Sequence, residues 1–342
     1  MLRLMDANLD RLGEGLRVLE DSARFVLGDI KITEALKRMR HELTSIDPAF
    51  RSKLLASRNS EGDVGREKAV ATIPRTQLVD LIAANARRTQ ESLRVLEEYA
   101  KLPQIPMEIA QRNFEQARFM LYEIEKELTL KLIRHDKRER IAGLYVIIDG
   151  QNLVGRSEVE ATRQVIQGGA RVVQLRDKLR SKRDIIDVAH ELRQVCAEAD
   201  VLFIMNDQID VAVAVDADGV HLGVNDLPVP LARGMMSLDK IIGCTVRTVE
   251  QAVQVQEEGV DYIGVGSMYP SSTKADAEVV GPERLQEIRG KVSIPIVAIG
   301  GLNETNVDTI IEAGADSVAV ISAVLDNEDI LASTQQLVAK FN

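Results

Sequence analysis

The chain has 342 residues, 45% of them hydrophobic but only 3% aromatic, with no tryptophan. That length predicts about two domains with aliphatic cores of Val, Ile, Leu and Ala. A formal net charge of −10 argues against a general nucleic-acid binder, which needs a basic surface, while a few focused Arg and Lys could still attract an anionic substrate.

The start, Met1-Leu-Arg-Leu-Met-Asp6, has no secretory apolar segment, and no apolar run approaches the ~20 residues of a membrane span. No membrane association is expected. Apolar residues at three- and four-residue spacing predict helices over Leu2–Leu27, Ile32–Ser45, Arg75–Lys101 and Met107–Ile133. The polar stretch Ser57–Gly65 between them reads as a loop. Residues 1–133 are therefore expected to form an all-α domain.

This half carries an internal repeat. Shifted by 77 residues, positions 7–23 fall on 84–100 with ten identities, among them Asn8/Asn85, Arg11/Arg88, Glu14/Glu91, Arg17/Arg94 and Glu20/Glu97. Two related helical units with pseudo-twofold packing would produce this. Arg17/Glu20 and Arg94/Glu97 have the spacing of surface i,i+3 pairs, worth about 0.2–0.5 kcal/mol each. These pairs, or polar ties between the two units, are the favoured reading; the functional alternative is that they line an interface or regulatory pocket. The basic run Arg134–Arg140 reads as a solvated linker over 134–140.

After it, short β-branched runs alternate with amphipathic helices. Strands are expected at Gly143–Asp149, Val172–Asp177, Leu202–Asp207, Gly219–Gly223, Ile241–Val246, Tyr262–Met268, Pro295–Gly301 and Ser317–Ser322. Intervening helices include Ser157–Gly168, Lys182–Ala199, Val249–Gly259, Asn303–Ala313 and Asp329–Phe341. Such alternation implies a parallel sheet, and eight units in about 200 residues suit closure into a (βα)₈ TIM barrel over 141–342. Gly259-Val-Asp261 and Gly314-Ala-Asp316 read as short turns with glycine at the helix end. The two cysteines, Cys196 and Cys244, lack pairing or metal spacing and fit a reducing, cytoplasmic compartment.

Barrel chemistry sits at the C-terminal strand ends, and polar residues gather there. Strand 2 ends Gln174-Leu-Arg176-Asp-Lys178, strand 3 Asn206-Asp207, strand 5 Cys244-Thr245, strand 7 Gly300-Gly301 and strand 8 Ile321-Ser322. Strand 4 delivers Asp226, and the loop after strand 6 carries Ser271, Thr273 and Lys274. Gly300, Gly301 and Ser322 could offer backbone N–H groups to a phosphate. Arg176, Lys178 and Lys274 look like a diphosphate clamp. Asp207 and Asp226 could share a Mg²⁺ with phosphate oxygens and water, or could cap the following helices. His221, within strand 4, reads as a satisfied barrel histidine. No HExxH, Walker loop, GxGxxG after strand 1 or Ser-His-Asp arrangement is present, which disfavours hydrolase and dinucleotide readings.

Gln174-Leu-Arg-Asp-Lys178, Asn206-Asp207, Ala217-Asp-Gly-Val-His-Leu-Gly223 with Asp226, Gly264-Val-Gly-Ser-Met-Tyr-Pro-Ser-Ser-Thr-Lys274 and Ile299-Gly-Gly301 resemble the thiamine-phosphate synthase family, in order, over 141–342. The helical half resembles an extension that some members carry. The resemblance implies a transferase joining 4-amino-5-hydroxymethyl-2-methylpyrimidine diphosphate to thiazole phosphate or its carboxylate, with dissociative departure of pyrophosphate. It implies Mg²⁺ on Asp207 and Asp226, and diphosphate contacts from Arg176, Lys178, Asn206 and Lys274. It puts Gln174 on the pyrimidine and Thr245 near the pyrophosphate, with Ser271, Thr273, Gly301, Ile321 and Ser322 on the thiazole phosphate. Val224, Ser267 and Thr245 depart from the usual Gln, Pro and Ser; the threonine keeps its hydroxyl.

Two other readings compete. A related thiazole tautomerase would not need the diphosphate clamp, and a ligand-sensing barrel would not need chemistry. Because every candidate residue follows Ile141, the helical half is expected to be dispensable for turnover, and truncation before Arg140 to leave activity measurable. The sequence leaves room for a homo-oligomer.

Overall fold

The computed structural model describes residues 1–59, 75–153, 155–270 and 278–341, in two compact units, Met1–Ile133 and Arg134–Asn342. The first unit is helical: α1 (Leu2–Phe25), α2 (Ile30–Thr44), α3 (Pro48–Ala56), α4 (Leu78–Tyr99), α5 (Met107–Ala110) and α6 (Phe114–Glu139), whose last residues belong to the second unit. Asp29 caps α2 by accepting the Ile32 N–H at 3.0 Å, and Asp47 caps α3, which Pro48 opens. The expected helix over Met107–Ile133 is broken into α5 and α6, and α3 was not anticipated.

The repeat lies on α1 and α4, which pack together and bury Leu12, Leu16, Leu19, Leu93 and Leu96 in one core. A Cβ at Gly15 would collide with the Thr89 hydroxyl, so this glycine lets the helices approach. Asn8 and Asn85 make the same bond, each donating to the carbonyl four residues back at 2.9 and 2.8 Å. Glu20 accepts from Arg17 at 3.3 Å and from Arg40 at 2.8 Å. Its repeat partner Glu97 accepts from Arg94 at 2.6 Å and from Arg118 at 3.1 Å. The repeated glutamates thus extend local i,i+3 pairs into ties from α1 to α2 and from α4 to α6.

In the second unit, among the described residues, eight parallel strands close in sequence order into a barrel. They are β1 (Gly143–Asp149), β2 (Val172–Arg176), β3 (Leu202–Asn206), β4 (Gly219–Leu222), β5 (Ile241–Val246), β6 (Tyr262–Val265), β7 (Ile296–Ile299) and β8 (Ser317–Val320). The helices relevant below are α9 (Ile209–Ala214), α10 (Val229–Met235), α11 (Val249–Glu257) and α14 (Ser322–Leu325). One set of strand residues packs outward against the helices. The other, including Tyr145, Ile147, Ile204, Tyr262, Val297 and Ala319, fills the interior, as period-two alternation requires. Several strands end one to three residues short of expectation. At β3 the cause is visible: Asp207 adopts φ +61°, a left-handed turn that leaves the sheet.

The aspartates of the helix-to-strand turns have a shared task. Asp218, Asp261 and Asp316 each accept the N–H of the preceding strand, from Phe203 at 3.0 Å, Ile242 at 2.8 Å and Ile296 at 2.8 Å. This lines the N-terminal end of the barrel with carboxylates. The run 134–140 answers them and is not the solvated linker its charge suggested. α6 continues to Glu139; Lys137 is buried, 3.2 Å from Asp218 and 3.4 Å from Asp239. Arg134 lies 3.4 Å from Asp261, and Arg140 2.8 Å from Asp200. Among the described residues, no helix is long and apolar enough to cross a membrane.

Candidate active site

The C-terminal strand ends surround two adjoining cavities. One, of about 120 Å³, reaches into the barrel between Tyr145, Gln174, Tyr262 and the Gly300-Gly301 turn. The other, of about 300 Å³, opens between Lys178, Asp207 and Asp226. Arg176, Asn206, His221, Thr245 and Arg247 line both.

A chain of hydrogen bonds crosses the inner cavity. Gln174 donates to the Tyr145 hydroxyl at 2.8 Å, and the Tyr145 and Tyr262 hydroxyls meet at 3.1 Å. Tyr262 then reaches His221 Nδ1 at 3.1 Å, and His221 Nε2 lies 3.0 Å from the Thr245 hydroxyl. Inward positions of β1, β2, β4, β5 and β6 supply these side chains. A Cβ at Gly243 would strike the Tyr262 ring, and one at Gly264 would strike His221, so both glycines make room for the chain. Burial raises the Tyr145 and Tyr262 phenols above their ordinary range. His221 is a satisfied barrel histidine, as expected, and it also walls the site.

The outer cavity is the charged one. Arg176 is ion-paired with the buried Asp149 at the end of β1, while the exposed Lys178 has its Nζ 3.9 Å from Asp207. Asp226 accepts the Gly223 N–H at 2.6 Å and faces Asp207. Burial first, then the neighbouring Asp226 carboxylate, pushes the Asp207 carboxyl up to about 6. Neither aspartate caps a following helix: the capping position of α9 is Gln208 and that of α10 is Pro228.

The phosphate-friendly end is equally specific. Gly300 and Gly301 have φ of +102° and +67°, conformations that favour glycine, and a Cβ on either would collide with Ser267 or with Tyr269 and Pro270. Ile321 and Ser322, which opens α14, follow the neighbouring strand β8 and line the inner cavity together with this turn. The expected contacts Ser271, Thr273 and Lys274 lie outside the described residues. The structure thus brings Gln174, Arg176, Lys178, Asn206, Asp207, Asp226, Thr245, Gly301, Ile321 and Ser322 to one mouth. Sequence reading missed Asp149, Tyr145, Tyr262 and Arg247. Of these, Asp149 carried a signal, a carboxylate at a strand's C-terminal end.

Residues 144–324 match the family model described as thiamine monophosphate synthase, and residues 3–127 match that of the ThiD2 family. A thiamine-phosphate synthase from Synechocystis sp. is 38% identical over 343 residues, covering 99% of this chain and 96% of that protein. The chain belongs to the thiamine-phosphate synthase family. It is accordingly an enzyme, a transferase of thiamine biosynthesis. A second synthase, from Methanospirillum hungatei, is 47% identical over 195 residues, which are 57% of this chain and 95% of that protein. The structure of a thiamine phosphate pyrophosphorylase from Pyrococcus furiosus matches with a TM-score of 0.55 at 40% identity, covering 60% of this chain and 96% of that one. The barrel and the family expected from the sequence are both found.

Proposed function

We propose that this synthase couples 4-amino-5-hydroxymethyl-2-methylpyrimidine diphosphate with thiazole phosphate, or with its carboxylate and loss of CO₂, to give thiamine phosphate and pyrophosphate. The observation that carries the reading is the adjacency of the two cavities: a glycine turn suited to one phosphate opens beside a charged pocket suited to a diphosphate.

The C–O bond joining the pyrimidine methylene to the diphosphate breaks, and its electron pair leaves with the diphosphate oxygen. The thiazole nitrogen then gives its lone pair to the methylene carbon and forms the C–N bond. With thiazole phosphate no proton moves, and with its carboxylate a proton is only gained at the carbon that loses CO₂, so no general base is required at carbon. What the chain must supply is preorganised positive charge for the leaving group and orientation for the nitrogen. Arg176, Lys178, Asn206 and Lys274 take the diphosphate on this reading, and Gln174 the pyrimidine. Thr245 lies beside the departing pyrophosphate. Gly301, Ile321, Ser322, Ser271 and Thr273 take the thiazole phosphate.

Asp207 and Asp226 fit Mg²⁺, which prefers one or two carboxylates completed by phosphate oxygens and water. Burial and then the neighbouring Asp226 carboxylate raise the Asp207 carboxyl, and Lys178 offsets only part of this. When bound, Mg²⁺ adds positive charge where the diphosphate accumulates negative charge. The two free thiols, Cys196 and Cys244, support a cytoplasmic setting.

Purified protein given both substrates and Mg²⁺ should release pyrophosphate and thiamine phosphate in equal amounts. Chelator should abolish the reaction, and Asp207→Asn or Asp226→Asn should raise the Mg²⁺ requirement. Absence of both products at any protein concentration would overturn the reading.

A further inference from the structure

Arg247 stands just beyond β5, two residues after Thr245 and so on the same side of the strand path. It lines both cavities. Its backbone is fixed, because its N–H donates to Gln251 Oε1 at 2.8 Å. Thr248, in turn, caps α11 by accepting the Gln251 N–H at 3.2 Å. Its guanidinium makes no hydrogen bond or ion pair among the described residues, and the side chain is exposed. The other described cations of the mouth are already engaged: Arg176 with Asp149, and Lys178 near Asp207.

We infer that Arg247 is a substrate-binding residue for the diphosphate, closing its pocket from the β5 side opposite Arg176 and Lys178. The inference rests on the coupling reaction proposed above. Anchored backbone and uncommitted guanidinium together describe a charge held ready for an anion. A planar guanidinium at the junction of the two cavities can bind the diphosphate on one side while leaving the glycine turn to the other phosphate. The strand position is not one that the family resemblance assigned to any ligand.

Arg247→Gln and Arg247→Lys test this in the full-length protein, with each substrate varied in turn and pyrophosphate used as an inhibitor. Losing one charge-assisted contact should raise the KM for the pyrimidine diphosphate and the Ki of pyrophosphate by about 10- to 100-fold in Arg247→Gln. The KM for thiazole phosphate should not change, and Arg247→Lys should recover part of the loss. Unchanged KM and Ki, a change confined to thiazole phosphate, or equal losses in both variants with a lowered melting temperature would overturn the inference. If the wild-type protein shows no turnover, the coupling reading fails instead; calorimetric titration of wild type and Arg247→Gln with pyrophosphate would still decide the role of Arg247.

Discussion

The Thr245 hydroxyl lies 3.0 Å from His221 Nε2, while the other ring nitrogen, Nδ1, meets Tyr262 at 3.1 Å. The imidazole is thereby fixed from both ends, and with it the hydroxyl that borders both cavities. Replacing Thr245 by Val keeps the shape and removes the hydroxyl. We expect kcat/KM to fall by about 5- to 30-fold, equivalent to about 1–2 kcal/mol, in steady-state assays. Thr245→Ser should remain close to wild type, because the bond to His221 survives.

Asp149 and Arg176 form a pair at the ends of β1 and β2, in register with each other, and the Asp149 side chain is only 4% exposed. Asp149→Asn would leave the guanidinium without its counter-charge. Breaking such a pair should cost about 2–4 kcal/mol, read as a melting temperature lower by roughly 5–15 °C. Activity measured well below that temperature should also fall, since Arg176 loses the group that orients it.

The helical unit should respond to pH through Asp29 and Lys131, 2.6 Å apart. Burial alone would raise the Asp29 carboxyl, but the Ile32 N–H and the Lys131 ammonium hold it below its ordinary value of 3.8. Burial likewise opposes the charge on Lys131, yet Asp29 and Glu127 hold it above 10.5. A depressed acid stabilises above its unfolded pKa, and that stability is lost as pH falls through the folded value. A raised base stabilises below its unfolded pKa, and the stability is lost as pH climbs past the folded value. The pair should therefore contribute no more than about 1 kcal/mol between about pH 4 and 10.5, and fade on either side. Thermal melts of wild type and Lys131→Met across pH should converge below that window.

Lys137 sets the place where the helical unit can be removed. A chain beginning at Arg134 keeps Lys137 against Asp218 and Asp239, whereas one beginning at Ile141 strips them of it. The first should fold and retain turnover, consistent with a synthase relative nearly filled by 195 matched residues. The second should melt at a lower temperature, because the buried Asp218 loses Lys137 and keeps only the Phe203 N–H and the more distant Arg193, at a cost of about 1–3 kcal/mol. Lys137→Ala in the full chain should show the same loss by calorimetry. Truncation before Arg140, which the sequence led us to expect would leave activity measurable, would also take away Lys137 and its contact with Asp218.

Much of the barrel was legible because strand and helix periodicities differ and because most strand ends announced themselves with Asn, Asp, Thr or Gly. The basic run at 134–140 was misread because the barrel aspartates it meets lie sixty or more residues away in the chain, where no local pattern reaches. Strands were drawn too long where polar residues that serve the site leave the sheet, as Asp207 does. The roles of Tyr145 and Tyr262 were illegible for a related reason. An aromatic in an apolar strand reads as core, and only closure of the barrel turns two such hydroxyls toward each other. Asp149 was overlooked because it is one of many strand-terminal acids, and nothing local names Arg176 as its partner.

The two buried phenols have a bearing on the fate of a reactive substrate. A pyrimidine methyl cation would alkylate the strongest nucleophile within reach. Tyr145 and Tyr262 hold their protons far above neutral pH, and His221 has both nitrogens engaged. On the proposed reaction, the pocket wall is chemically quiet at the moment the bond breaks, so the thiazole nitrogen competes with few rivals and the enzyme is spared from labelling itself.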